Sequence, residues 1–98
     1  MEHWFLYVIR CKGGSLYTGI TTDVKRRFKE HQSSDGKGAK YLRGKAPVKL
    51  IFTKKVGSRR TALMMENRVR KLTKAKKEMF VAGRISIEEL KKKIKDRP

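Results

Sequence analysis

The chain has 98 residues, enough for one small domain, and its 27 Lys and Arg against 9 Asp and Glu give a formal net charge of +18. This excess of positive charge repels itself in a compact domain and therefore indicates a polyanionic partner. With 38% hydrophobic residues, the chain still has enough apolar side chains to fold. The composition excludes a multidomain enzyme and leaves a nucleic acid or an anionic membrane as the partner surface.

A membrane partner is disfavoured by the pattern of apolar residues. The longest apolar run, 4–9, is far shorter than the roughly 20 residues that span a bilayer, and the residues before it do not form a secretory leader. The single cysteine, Cys11, excludes a disulfide within the chain, and no Cys/His cluster offers a zinc site. We therefore expect a cytoplasmic protein with no membrane partner.

The first two elements are predicted to form a β-hairpin. The aromatic and β-branched run 4–9 is typical of a strand buried on both faces, and 15–20 is predicted to be the returning strand. A three-residue loop at 11–13 would place Tyr7 directly opposite Tyr17. Any loop of odd length keeps the two tyrosines on one face of the sheet, whereas an even loop separates them, and we predict an odd loop.

A helix is predicted next, with Asp23 as its N-cap and Gln32 near its end. Phe28 and His31 lie on one apolar stripe of this helix, and Arg27 borders that stripe. A loop at 33–38 and a basic, tyrosine-bearing segment at 40–45 follow. The alternation of apolar and polar residues over 48–53 then predicts a third strand, entered at Pro47.

The second half of the chain is predicted to be helical. Ser58 is expected to cap a helix that runs through Leu72, and Thr73 to cap a short helix that ends at Gly83. The S-x-x-E pattern at 86–89 is a capping box that opens a last, basic helix. The order ββαβααα predicts an α+β domain with a three-stranded sheet, mixed or antiparallel, flanked by helices.

Glu66 is the most informative charged residue, because its helical neighbours three and four positions away are the apolar residues Ala62, Leu63 and Val69. A carboxylate turned toward a core needs a cation. One carboxylate with several waters can hold Mg²⁺ beside a phosphate. The alternative, more frequent from helix geometry alone, is an ion pair with Arg27, Arg70 or Lys40.

The two tyrosines and the Arg/His pair also have two interpretations. Tyr7 and Tyr17 are either core aromatics with hydroxyls at the rim, or one phenol helps to deprotonate a water. The second role requires surrounding cations to lower the phenol pKa, or only partial proton transfer. Arg27 could neutralise charge on a phosphoryl oxygen. His31 could orient a tyrosine hydroxyl or transfer a proton, and otherwise it is a satisfied core histidine.

Basic runs are spread along the whole chain, for example at 25–27, 74–77 and 91–93. Each run alone is usually a solvated face. Together they predict salt-dependent binding to phosphates, without an identifiable means of reading bases.

At these residues the sequence resembles the GIY-YIG nuclease family. Residues 5–7 (Phe-Leu-Tyr) match the Gly-Ile-Tyr motif in its tyrosine, and 17–19 (Tyr-Thr-Gly) match Tyr-Ile-Gly. The arginine of the family falls at Arg27, the histidine of many members at His31, and the metal-binding glutamate at Glu66. Because all of these matches occur in the order of the family along one chain, together they are specific to the family.

The segments 16–31 and 38–44 further resemble the small, stand-alone bacterial members of this family, the UPF0213-like proteins, which are similar to the nuclease domain of structure-selective endonucleases. The resemblance covers about residues 3–82. It implies a three-stranded antiparallel sheet flanked by helices. We expect a nuclease domain at 1–83 and a basic C-terminal helix and tail at 84–98.

The chemistry that the resemblance implies is hydrolysis of a phosphodiester with one divalent metal, Mg²⁺ or Mn²⁺, leaving 5′-phosphate and 3′-hydroxyl ends. Glu66 would bind the metal, Arg27 would stabilise the transition state, and Tyr7 or Tyr17 would activate water. His31 and Lys40 would support them. The residues expected to contact the substrate are Gly19, Arg26, Tyr41 and Arg43.

We therefore predict a metal-dependent endonuclease acting on DNA, structure-selective and used in repair or recombination. The alternative is a non-catalytic nucleic-acid-binding module on the same scaffold. A third interpretation, a basic protein that docks on ribosomal RNA, explains the charge but not a carboxylate turned toward the core. Specificity would come from nucleic-acid shape or from a partner protein.

Overall fold

The computed structural model describes residues 3–32 and 48–90 and has the predicted α+β architecture. Its elements are β1 (Trp4–Arg10), β2 (Leu16–Thr21), α1 (Val24–Gln32), β3 (Lys49–Gly57), α2 (Arg59–Arg70) and α3 (Lys74–Val81). A further helix begins at residue 87. The order ββαβααα is therefore confirmed. No helix in the described ranges is both long and apolar enough to cross a bilayer.

The three strands form one antiparallel sheet in the order β2-β1-β3. Of the two sheet types left open by the sequence, the antiparallel one is correct. The central strand β1 is buried at residues 6–9, as expected for a strand covered on both faces. The third strand is longer than predicted and continues to Gly57.

The hairpin has an odd-length loop, as predicted, but its register differs from the predicted one. Tyr17 pairs with Ile9, and Tyr7 pairs with Gly19. The prediction that Tyr7 lies directly opposite Tyr17 is therefore wrong by two residues. Because a shift of two residues preserves the side-chain alternation, both tyrosines still lie on one face of the sheet.

Two consecutive glycines explain the register. The backbone N–H of Cys11 donates to the carbonyl of Ser15 at 2.8 Å, which moves the loop to residues 12–14. Gly13 and Gly14 have φ of 89° and 94°. Glycine adopts positive φ without a steric penalty, so both residues can turn the chain here. The predicted loop, 11–13, contains only the first of these two glycines.

The predicted helix caps are present. The side-chain oxygens of Asp23, Ser58 and Thr73 accept hydrogen bonds from the backbone N–H three residues later, at 3.1, 3.1 and 3.2 Å. The capping box is reciprocal, because Ser86 Oγ accepts from the Glu89 N–H at 3.0 Å and Glu89 Oε1 accepts from the Ser86 N–H at 3.4 Å. The helix starts are therefore fixed by local sequence.

The sheet has a separate hydrophobic cluster on each face. The larger cluster joins β1 to α2, α3 and the last helix through Leu6, Met65, Val69, Phe80, Ile87 and Leu90. The smaller cluster contains Tyr7, Ile9 and Cys11, with Phe28 of α1 packed against it. Ile87 and Leu90 come from the segment predicted as a C-terminal helix and tail, so the start of that segment shares the main core. The boundary at 83 stays a prediction.

Ionic contacts hold α3 against the hairpin. Arg10 makes two hydrogen bonds to the Glu78 carboxylate, both at 2.7 Å, and Lys74 lies 3.0 Å from the same group. Both cations also donate to the carbonyl of Gly14. These hydrogen bonds lower the pKa of Glu78 to about 2. Because the pair is about one-third exposed, it orients α3 more than it stabilises the fold.

Candidate active site

The two tyrosines and the glycine of the second motif form the floor of the site. The rings of Tyr7 and Tyr17 lie 6.4 Å apart between centroids. Gly19 is buried opposite Tyr7, and a Cβ built on it would lie 2.4 Å from the Tyr7 hydroxyl. Glycine is therefore required here because the Tyr7 ring occupies the space of a side chain. The predicted contact of Gly19 with substrate stays a prediction.

His31 reaches this floor from α1. It is buried, and its Nε2 lies 2.8 Å from the Tyr7 hydroxyl. Its ring also meets Tyr17 edge-on, with centroids 5.5 Å apart. This hydrogen bond fits a histidine that orients a tyrosine hydroxyl and equally a satisfied core histidine, so both interpretations stay predictions. Burial, and secondarily the charge of Arg27, lower the pKa of His31 to about 4.

The lowered pKa of His31 predicts a pH-dependent stability. Between about pH 6.5 and pH 4 the unfolded chain binds a proton at this residue and the folded chain does not, so stability falls as the pH falls. The free energy of unfolding of the wild type should fall between pH 7 and pH 4.5, and in His31→Gln this fall should be smaller by about 2 kcal/mol. Urea unfolding at several pH values in this range measures the free energy of unfolding. The control is His3→Gln, which replaces an exposed histidine. Identical pH profiles for wild type and His31→Gln would contradict the prediction.

Arg27 lies at the border of the helical stripe, as predicted, and faces the same hydroxyl groups. Its side chain is 30% exposed and forms an ion pair with Glu30 at 2.8 Å. Its charge and a hydrogen bond to Tyr7 both act to lower the pKa of that phenol. The preceding Arg26 is exposed and pairs with the same Glu30 at 3.0 Å. The guanidinium of Arg27 therefore faces the tyrosines, and that of Arg26 lies on the outer surface.

The phenol pKa values correct one expectation. Burial raises the pKa of Tyr7 far above its ordinary value, and burial also raises that of Tyr17, although Arg27 opposes both shifts. The expectation that surrounding side-chain cations give the phenols a lowered pKa is therefore wrong, because desolvation outweighs the lowering by Arg27. Both phenols are neutral near pH 7, so a role in activating water would require partial proton transfer.

Glu66 is half-buried on α2, and burial raises its pKa while Arg70 opposes the shift. Among the described residues, no Lys or Arg lies within ion-pair distance of its carboxylate. The alternative of an ion pair with Arg27 or Arg70 is therefore wrong. Lys40, the third candidate, lies outside the described residues.

This environment fits a divalent cation held by one protein carboxylate. Within residues 3–32 and 48–90 no group of three or more His, Cys, Asp or Glu forms a multidentate metal site. A Mg²⁺ site of one carboxylate and several waters needs no such group. A cation beside Glu66 would also favour the charged form that burial disfavours.

Electrostatic interactions link Glu66 to the tyrosines. Its negative charge contributes to the raised pKa of both Tyr7 and Tyr17, and the charge of Arg70 lowers the pKa of Tyr17. The structure thus brings together five predicted site residues: Tyr7, Tyr17, Arg27, His31 and Glu66. Of the other predicted residues, Gly19 and Arg26 lie within the described ranges, and Lys40, Tyr41 and Arg43 lie outside the described part of the chain.

Arg70 is the charged neighbour whose role in the site the sequence analysis missed. It had been considered only as an ion-pair partner for Glu66, yet its charge acts on Tyr17 as well. Its position one helical turn after Glu66 was the available signal, because residues four apart lie on the same side of a helix.

Comparison with known proteins agrees with this geometry. The model of a family described as the GIY-YIG catalytic domain matches residues 3–79. A UPF0213 protein of Cronobacter sakazakii is 56% identical over 91 residues, covering 93% of this chain and 94% of the relative. The UPF0213 protein YhbQ of Escherichia coli K12 is 54% identical over 90 residues, covering 92% and 88%.

Two solution NMR structures are similar to the chain. The UPF0213 protein BH0048 from Bacillus halodurans is 43% identical with a TM-score of 0.54, over 93% of this chain and 94% of that one. The protein EF2693 from E. faecalis is 35% identical with a TM-score of 0.60, over 85% and 86%.

Proposed function

Because the chain belongs to the GIY-YIG nuclease family, we propose that it is a metal-dependent endonuclease that hydrolyses DNA phosphodiester bonds. The observation that carries the proposal is the half-buried Glu66, which forms no ion pair within the described residues and whose charge acts on two neighbouring phenols. A purely structural carboxylate in this position would be expected to have a paired cation. The arrangement instead suits a site that binds a cation with its substrate.

Glu66 would hold the divalent ion, Mg²⁺ or Mn²⁺, through its carboxylate oxygens. A divalent ion bound there supplies positive charge beside the reacting phosphate. Water molecules would complete its coordination, because the described residues contain no group of three or more His, Cys, Asp or Glu that could hold a metal ion.

Tyr17 is the phenol better placed to accept a proton from the attacking water. Tyr7 is only 2% exposed and its hydroxyl is engaged by His31, whereas Tyr17 is partly exposed. A hydrogen bond from Tyr7 lowers the pKa of Tyr17, so Tyr7 stabilises negative charge on its neighbour. In the tautomer that carries the proton on Nε2, His31 donates to the Tyr7 hydroxyl, which leaves the Tyr7 proton to be donated to Tyr17. Tyr7 and His31 are then positioning residues for one water-activating phenol.

Arg27 would stabilise the negative charge that develops on the phosphoryl oxygens. Its guanidinium is anchored by Glu30 and is only partly exposed, so little ordering is required when the substrate binds. The exposed Arg26 on the same helix would contact the phosphate backbone outside the reacting centre.

The substrate is proposed to be DNA recognised through its backbone. The net charge of +18 favours salt-dependent phosphate contacts. We propose that branched or damaged structures in repair or recombination are the targets, with shape or a partner protein supplying specificity. We place the activity in the cytoplasm. The alternative, a non-catalytic nucleic-acid-binding module, accounts for the charge but gives no reason for Glu66.

A cleavage assay separates the two functions. Linear, nicked, flap and four-way-junction DNA are incubated with Mg²⁺, with Mn²⁺ or with EDTA. We expect metal-dependent cutting of at least one substrate, and a loss of about 10²-fold or more for Tyr17→Phe, because general-base catalysis contributes that much. Metal-independent binding without cutting of any substrate would support the binding module instead.

A further inference from the structure

The third strand places two polar side chains beside the candidate active site. Thr53 pairs with Tyr7, and Lys55 pairs with Phe5. Residues directly opposite each other in an antiparallel pair project from the same face, with Cβ atoms about 5 Å apart. Thr53 and Lys55 therefore lie on the face that carries Tyr7.

The packing supports this assignment of faces. Phe52, which directly precedes Thr53, packs against the cluster that contains Leu6 and so lies on the opposite face from Thr53. Leu50 packs against the cluster that contains Tyr7, because the register of β3 against β1 shifts between Val8 and Ile9. Lys54 pairs with Leu6 and so projects from the opposite face. Two adjacent lysines, Lys54 and Lys55, thus lie on opposite sides of the same strand.

The β3 side of this face is accessible. Thr53 and Lys55 are both exposed, and Lys55 forms no ion pair with any residue in the described ranges. Phe5 beside it is only partly buried and packs into neither hydrophobic cluster. In contrast, α1 covers Tyr7 on the β2 side through Phe28 and His31. On the β3 side, this face therefore exposes one lysine and one threonine next to the strand that carries Tyr7.

We propose that Lys55, with the Thr53 hydroxyl beside it, binds a backbone phosphate that flanks the scissile one. The inference rests on the proposed nuclease function. Adjacent strands lie about 4.8 Å apart and rise about 3.3 Å per residue, so Lys55 lies roughly 10 Å across the sheet and about 13 Å along it from Tyr17. A nucleic-acid backbone that crosses the sheet from Tyr17 therefore reaches Lys55 a few nucleotides from the reacting phosphate. The ammonium group has no ion-pair partner among the described residues and can pair with a phosphate, and the hydroxyl can donate a hydrogen bond to the same group.

The test compares Lys55→Gln with Lys54→Gln, a matched control that removes the same charge from the other face. Both are made in the Glu66→Gln chain, and their binding to a linear DNA duplex is measured at several salt concentrations. Neutralising one phosphate contact accounts for a slope of about 0.9 in log K against log salt. We expect Lys55→Gln to reduce the slope by about this amount, and Lys54→Gln to change it much less.

The same two substitutions in the otherwise unchanged chain are then assayed for cutting. Lys55→Gln should raise KM several-fold with little change in kcat, because a flanking phosphate is bound equally in the ground and transition states. Equal effects of the two variants on salt slope and KM would overturn the subsite while leaving the nuclease function intact. If the unchanged chain cuts no DNA, the nuclease function is refuted. If Lys55→Gln alone still reduces the salt dependence of DNA binding, Lys55 is retained as a phosphate contact.

Discussion

Replacing Glu66 by glutamine is expected to reduce metal-dependent cutting by about 10³-fold or more while duplex affinity changes little. The substitution keeps the size of the side chain and removes the carboxylate that would hold the metal. Loss of several kcal/mol of transition-state stabilisation corresponds to a rate loss of this size. Affinity for DNA is retained, because the change removes a negative charge from a positively charged protein.

The Glu66→Gln chain should also remain folded. Burial raises the pKa of this carboxyl, so the folded state already disfavours its charged form, and a neutral amide relieves that penalty. A second measurement is independent of cutting: millimolar Mg²⁺ should raise the Tm of the wild type but not of Glu66→Gln.

The control for Glu66 is Glu88→Gln, which removes an exposed carboxylate from the last helix. It should leave both cutting and the Mg²⁺-dependent rise in Tm unchanged. If Glu66→Gln cuts DNA as fast as the wild type, Glu66 does not hold the metal and the proposed site is wrong.

Arg27→Ala should lower kcat by about 10²-fold or more, the usual effect of removing a donor that stabilises transition-state charge. KM should change less, because the guanidinium faces the tyrosines and contributes little to the outer surface. Steady-state cleavage kinetics on the preferred substrate measure both quantities. Arg27→Lys should recover only part of the rate, since an ammonium keeps the charge but loses the planar fork.

Lys29→Ala is the matched control for Arg27, because Lys29 lies on the same helix and is exposed. Its removal deletes one positive charge without touching the tyrosines. If Arg27→Ala and Lys29→Ala reduce cutting to the same small extent, Arg27 acts as a surface cation and has no part in the reaction.

Much of the local structure followed from the sequence because it depends on short-range contacts. The caps at Asp23, Ser58 and Thr73 and the box at 86–89 are hydrogen bonds between residues three apart, and all four are present. An odd number of residues in the hairpin loop was sufficient to place both tyrosines on one face of the sheet. The helical period likewise placed His31 on the inner stripe of α1.

The tertiary structure decided the register and the electrostatics. The pairing of Tyr7 with Gly19 depends on two glycines that both adopt positive φ and on a ring that needs the space of a missing Cβ. The raised phenol pKa values depend on how deeply packing buries each hydroxyl, which charge counts along the chain do not reveal. Residue type and spacing thus predicted which groups lie near one another, because hydrogen-bonding capacity and periodicity are local properties. The protonation states, and the face on which Lys55 lies, required the fold, because desolvation and strand register arise only when distant segments pack together.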